Sequence, residues 1–303
     1  MSAVSNIRGV SPVMAVPFTN DGEVDLTGFR ALVRHVSKSG VTSAMLFGFA
    51  SEFYKLTDEE RTALRSSFLE ETRARDDFTA IVSVTDHATE VAVRRARESA
   101  AAGSGALNLL PPYMLAPSRD AVLSHVTAVL EAVEIPVIVQ VAPALTGLSL
   151  EASSLVALAR SHPNLSMVKV ESIPPGRMIS ELAGARPSLP AMVGYAGVQL
   201  PDALRRGVAG VQPGSSFPEI YVAIWDAWAA GETDEALDLH RRLLPYISYW
   251  MQNVELIAQA EKTILTRRGI IANDRCRKPG WTLDRDEMDT IERFLKEFAS
   301  FLY

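Results

Sequence analysis

The 303-residue sequence predicts an α/β fold of the closed (β/α)8 kind, a TIM barrel, carrying a C-terminal appendage of three helices. Three observations lead there. From residue 11 onward, short apolar runs alternate with longer segments of helical period, which is the pattern of βα units around a parallel sheet. The alternation recurs roughly every 30 residues, so that eight units fill about 220 residues, as this barrel requires. No glycine fingerprint follows the first apolar run, which disfavours the doubly wound open sheet.

The first strand, SPVMAVPF over 11–18, leads to a helix over 25–39, and SAMLFG (43–48) to a helix over 57–72. TAIVSV (79–84) precedes a helix over 88–102, and ALNLLP (106–111) one over 118–133. PVIVQV (136–141) is followed by 149–160, LSMVKVE (165–171) by 175–184, AMVGYA (191–196) by 200–206 and GVQPG (210–214) by 217–230. Thr57 ahead of three acidic residues, and Ser118 ahead of Arg119 and Asp120, supply side-chain oxygens for the free N–H groups of a helix start. Beyond Gly231 the strand pattern stops. Segments 232–250, 253–268 and 285–301 read as helices, broken at Gly231 and at the turn Arg277–Gly280. The expected organisation is a barrel over 1–230 that holds the catalytic site, then a helical region over 231–303 that offers a packing or assembly surface.

Composition narrows the function. Hydrophobic residues make up 48% and charged residues 22%, the balance of a globular enzyme rather than of a disordered or fibrous chain. A net charge of −6 without a dense Lys/Arg block argues against a nucleic-acid partner. No apolar run reaches the roughly 18 residues of a membrane span, and the N-terminus lacks the basic start, apolar stretch and small-residue cleavage site of a secretion signal. One cysteine, Cys276, excludes internal disulfides and cysteine-rich metal sites. The expected setting is the cytoplasm. Without an HExxH pattern or a Cys/His cluster, no metal is expected.

Among six lysines, Lys38, Lys55, Lys262, Lys278 and Lys296 fall in polar or helical surroundings, whereas Lys169 interrupts the apolar run LSMVKVE. Alternation along that strand puts Met167, Lys169 and Glu171 on one face and Val168 and Val170 on the other. With the valines toward the helices, Lys169 points into the barrel near the C-terminal strand ends, where active sites of this fold lie. Burial there favours the neutral amine over the ammonium, and a neutral amine attacks carbonyls. Two readings stand on the pattern alone: a Schiff-base lysine, or a lysine that snorkels or forms a structural ion pair with Glu171.

The opening GVSPVMAVPFTNDGEVD, GFASE (48–52), PPYMLAP (111–117), IPVIVQVAPALTG (135–147) and VKVES (168–172) together resemble the dihydrodipicolinate synthase / N-acetylneuraminate lyase family of Schiff-base-forming class I barrels. The resemblance runs from Gly9 to the Arg277-Lys278-Pro279 segment. It implies that Lys169 forms an imine with a 2-keto acid, and so needs no other cofactor. It implies also that the loop at Phe49, Ala50 and Ser51 offers backbone N–H groups to that acid's carboxylate, with Glu52 as a loop anchor, and that the chain assembles as a homo-oligomer, dimer or tetramer. The family's relay tyrosine on strand five is replaced by Gln140, in Gln140-Val141-Ala142-Pro143, and an amide does not titrate. Leu145 stands where dihydrodipicolinate synthases carry an arginine for the aldehyde substrate's carboxylate. Gln-x-Ala-Pro with Lys-x-Glu resembles instead the branch containing 2-keto-3-deoxy-L-arabonate dehydratase.

The expected function is therefore a class I lyase of a 2-keto acid, with dehydration or aldol cleavage of a 2-keto-3-deoxy sugar acid preferred. Condensation of pyruvate with an aldehyde is one alternative, and a degenerate barrel that only binds a keto acid is another. For proton transfer at C3 and at the leaving hydroxyl, Glu171 leads because it shares the lysine's face; its bland role is to balance the lysine's charge. Gln140 orients a hydroxyl or a water. Tyr113 after strand four is the second proton donor considered, or a rim aromatic. Tyr195 after strand seven and Ser215 after strand eight are placed for substrate contact by topology. His87 either titrates on the catalytic side or caps the third helix together with Thr85 and Asp86.

Overall fold

The structure, a computed structural model, describes residues 7–302. Its eight strands are β1 (Gly9–Val10), β2 (Ser43–Leu46), β3 (Thr79–Val84), β4 (Ala106–Leu109), β5 (Val137–Val141), β6 (Leu165–Val170), β7 (Ala191–Val193) and β8 (Gly210–Val211). They follow one another in the sheet order β1-β8-β7-β6-β5-β4-β3-β2, with helices between, so the fold is the expected (β/α)8 barrel. Helices α1 (Leu26–Lys38), α2 (Asp58–Thr72), α3 (Thr89–Ala101) and α4 (Arg119–Ala132) occupy the predicted segments. A four-residue helix, α5 (Pro143–Thr146), was not anticipated; it starts at Pro143, whose fixed φ suits a first helical position. Then come α6 (Ala152–Ser161), α7 (Gly176–Gly184), α8 (Leu200–Arg205) and α9 (Pro218–Ala229). The C-terminal helices are α10 (Thr233–Trp250), α11 (Val254–Arg267) and α12 (Arg285–Glu297). No helix among the described residues is long and apolar enough to cross a membrane.

The chain divides into two compact units, one built mainly of Thr79–Gln212 and the other of Gly9–Phe78 with Pro213–Tyr303. The first holds the continuous run β3 to β8, all parallel. Register pairs Ser83 with Asn108, Gln140 with Lys169 and Lys169 with Met192. These residues share a face, because side chains alternate along each strand. Val168 and Val170 lie on the opposite face, fully buried. α4 starts as the sequence implied, with Ser118 Oγ accepting the Ala121 N–H at 3.3 Å.

The second unit contains β1, β2, α1, α2 and the C-terminal helices. Thr57 and Glu60 form a reciprocal cap at the start of α2, the hydroxyl accepting the Glu60 N–H and the carboxylate the Thr57 N–H. The first strand, Gly9–Val10, lies ahead of the predicted 11–18 and does not overlap it. Pro12 and Pro17 carry no N–H, so a continuous ladder cannot form; past Val10 the pairing is reduced to isolated bridges of Val13 with Met45 and with Gly214 and of Phe18 with Val24. An aromatic cluster of Phe217, Tyr246, Trp250, Phe294 and Phe298 packs α9, α10 and α12 against one another, the Phe217 and Phe294 rings being 4.8 Å apart.

Candidate active site

Lys169 is 4% exposed and Glu171 7% exposed. Lys169 Nζ lies 3.4 Å from Glu171 Oε1, so the pair adjoins on the face that alternation predicts. The other carboxylate oxygen, Oε2, accepts from Gln140 Nε2 at 2.5 Å. Oε1 also accepts the backbone N–H of Tyr195 at 3.2 Å. The Gln140 carbonyl accepts from Asn108 Nδ2 at 3.0 Å, and the same amino group reaches Ser83 Oγ at 3.2 Å. Ser83, Asn108, Gln140 and Glu171 thus form one buried chain of hydrogen bonds that ends at the lysine.

The backbone is shaped to permit this. A Cβ on Gly194 would stand 2.4 Å from Glu171 Cγ and Oε1, so only glycine leaves room for the carboxylate. Tyr195 and Ala196 then adopt left-handed backbone angles, with φ of 55° and 48°. Such angles are unfavourable for residues with a Cβ, and here they accompany the turn that aims the Tyr195 N–H at Glu171. They also end β7 at Val193 rather than at the predicted residue 196.

Tyr113 packs against His87 rather than joining that chain. Its ring meets His87 edge to face at 4.7 Å, and burial raises its phenol above the usual value. His87 Nδ1 accepts the N–H groups of Tyr113 and Met114 at 3.4 Å each. The α3 N-cap is Ala88 without a side-chain bond, so His87 braces the loop after β4 instead of capping α3. Asp86 is engaged by Arg95 Nε at 2.9 Å.

In the second unit, Phe49–Ser51 forms a 3-10 turn, whose first N–H groups have no acceptor inside the turn. Ser51 Oγ donates to the Gly48 carbonyl at 2.6 Å. Gly48 is required by packing, as a Cβ there would lie 2.7 Å from Val13 and 2.8 Å from Met45. Ser215 is fully buried and its Oγ accepts the Ala15 N–H at 3.0 Å. Glu52 is buried with a left-handed φ of 55°. Lys55 Nζ donates to it at 3.0 Å, the Arg277 N–H at 3.1 Å, and Lys262 Nζ binds its other oxygen. Burial works to raise the Glu52 carboxyl, but Lys262 and Lys55 overcome it and hold it below the usual carboxylate range.

Lys262 corrects the sequence reading. It sits on a helix as expected, yet its side chain is fully buried, 3.0 Å from the Arg275 carbonyl and 4.2 Å above the Phe18 ring. A carboxylate, a carbonyl and a ring face thus surround its Nζ. The chain therefore has two deeply buried lysines, and only their surroundings separate them. Asn108 was missed altogether, although a polar residue inside ALNLL is the same kind of signal that drew attention to Lys169. Among the described residues no three His, Cys, Asp or Glu side chains gather as a metal would need.

A buried lysine facing a carboxylate, with an amide fixed beside it, can form an imine and move a proton at the adjacent carbon. The sequence profile of the dihydrodipicolinate synthetase family matches residues 6–298. L-2-keto-3-deoxyarabonate dehydratase of Azospirillum brasilense is 28% identical over 92% of this chain and 90% of its own. A 4-hydroxy-tetrahydrodipicolinate synthase of Streptomyces coelicolor is 30% identical over 78% of this chain and 77% of its own. In fold, the dihydrodipicolinate synthase crystal structure from Rhodopseudomonas palustris superposes with a TM-score of 0.89, covering 98% of both chains at 23% identity.

Proposed function

The chain belongs to the dihydrodipicolinate synthetase family, whose members are lyases, and from that premise we propose that it dehydrates a 2-keto-3-deoxy sugar acid such as 2-keto-3-deoxy-L-arabonate through an imine on Lys169. The observation that carries the proposal is the Lys169–Glu171–Gln140 arrangement, buried and joined by contacts of 3.4 and 2.5 Å. The unprotonated amine attacks the C2 ketone, water leaves, and one proton taken up from solvent gives a protonated imine. Glu171 then takes a proton from C3, and the electron pair moves into the imine to give an enamine. Glu171 returns that proton to the C4 hydroxyl, which departs as water and leaves a C3–C4 double bond. Loss of a proton from C5 and protonation of the carbon chain turn the resulting enol into the C5 aldehyde, and hydrolysis of the imine returns the ketone and the free lysine. No metal or further cofactor enters this sequence.

Gln140 supports dehydration over aldol condensation, since an amide holds a carboxylate or a hydroxyl but does not shuttle a proton as a tyrosine does. Leu145 in place of an arginine likewise leaves the carboxylate of aspartate semialdehyde without its expected partner. The names of relatives such as the Streptomyces protein favour condensation of pyruvate with an aldehyde as a second reading. A substrate screen separates the two. Release of 2-ketoglutarate semialdehyde from 2-keto-3-deoxypentonates supports the first, whereas consumption of aspartate semialdehyde with pyruvate supports the second and overturns the first. A homo-oligomer, dimer or tetramer, is part of the same proposal, and its measurement is sedimentation.

A further inference from the structure

We infer that Asn108 is a positioning residue: by donating to Gln140 Oε1 it fixes which way the Gln140 amide faces, and thereby presents an N–H rather than a carbonyl to the base Glu171. The inference rests on the Schiff-base reading above and assigns a role that reading lacks. Glu171 in its ionised form has acceptors only. Facing Oε2 at 2.5 Å, Gln140 must show Nε2, which turns its carbonyl toward β4. There Asn108 meets the carbonyl with Nδ2 at 3.0 Å, and Ser83 Oγ receives the same amino group at 3.2 Å. The orientation of each amide dictates that of the next.

The arrangement has a visible cost. Asn108 is 1% exposed, and with Nδ2 committed to Gln140 and Ser83 its Oδ1 is left buried without a hydrogen-bond partner. A buried unpaired carbonyl opposes folding. An apolar residue would avoid that cost, so the asparagine is better explained by what its amino group does to Gln140. The groups facing Glu171, which directly follows β6, are Lys169 from β6, Gln140 from β5 and the Tyr195 N–H from the loop after β7. Lys169 is the charged one. Reversal of the Gln140 amide would remove one of two neutral donors and set a carbonyl against the carboxylate, a change that favours the protonated acid.

The readout is exchange of the pyruvate methyl protons for deuterium in D2O, measured by NMR across pH 5–9, because it reports proton removal at C3 without any sugar acid. In Asn108→Asp a carboxylate replaces the donor, draws Gln140 Nε2 to itself and turns Oε1 toward Glu171. The acid limb of the exchange profile is expected to move upward by about one pH unit or more. Asn108→Ala, which removes the donor without adding a charge, should slow exchange by about tenfold with a smaller displacement. Ser83→Ala keeps the Asn108–Gln140 bond and should leave the profile where it was. An unmoved acid limb in Asn108→Asp, or wild-type exchange in Asn108→Ala, overturns the assignment while leaving the imine intact. If wild type itself gives neither exchange nor a borohydride-trapped pyruvate adduct, the Schiff-base reading falls, and this role with it.

Discussion

Glu261, on α11, is a buried carboxylic acid. Its Oε2 accepts the Ser216 N–H at 2.9 Å, and a Cβ on Gly214 would lie 2.2 Å from its carboxyl group, so the side chain packs flush against the backbone after β8. Burial pushes its pKa from 4.5 to about 7, against the smaller opposing pull of the Ser216 and Ser215 hydrogen bonds and of Arg268. The folded state therefore prefers the protonated acid. Its contribution to stability is complete below the unfolded value of 4.5, declines as pH rises toward about 7, and is gone above it. A rise of about 2.5 pH units corresponds to about 3 kcal/mol. Glu261→Gln keeps an oxygen for the Ser216 N–H and cannot ionise. Relative to wild type, the glutamine variant should gain up to about 3 kcal/mol between pH 5 and pH 8.5 in urea denaturation. A difference between the two proteins that stays constant over that range would refute the reasoning, since it would mean that Glu261 is ionised in the folded state throughout.

Other substitutions follow from the same geometry. Lys262→Met leaves Glu52 buried with Lys55 and the Arg277 N–H as remaining donors, and should destabilise the protein by about 3 kcal/mol; Lys262→Met with Glu52→Gln should recover part of that loss in the same denaturation measurement. Glu171→Gln should cut pyruvate methyl exchange by about 10²–10⁴, and full exchange in that variant would transfer the base role to another group. Gly194→Ala pushes a methyl into the Glu171 side chain and should reduce exchange by about 100-fold while a trapped adduct still forms; an unaltered exchange rate would show that Glu171 tolerates displacement.

Much of the fold was legible because each strand–helix unit is written locally. Thr57 with Glu60, and Ser118, announced helix starts that the structure bears out, and Lys169 stood out because its neighbours in sequence are apolar. What was illegible depends on distant residues. Lys262 lies on a helix with mixed neighbours, and its burial comes from Glu52 and Phe18, more than 200 positions away in the chain. Asn108 gains its meaning only through register, which sets it beside Ser83 and within reach of Gln140. The first strand was placed at 11–18 whereas it forms at Gly9–Val10, and the local reason was in the sequence: Pro12 and Pro17 prevent a continuous ladder there. Glu171 and Gln140 were singled out separately, on strand face and on family resemblance, and the 2.5 Å contact between them emerged only from folding.

The existence of two buried lysines makes the location of the imine the decisive test. Treatment with pyruvate and borohydride, followed by proteolysis and peptide mass analysis, reads it directly. The pyruvate-derived addition should fall on Lys169, leave Lys262 unmodified and vanish in Lys169→Ala. Addition at Lys262, an adduct that survives in Lys169→Ala, or none on the wild-type protein would contradict the account.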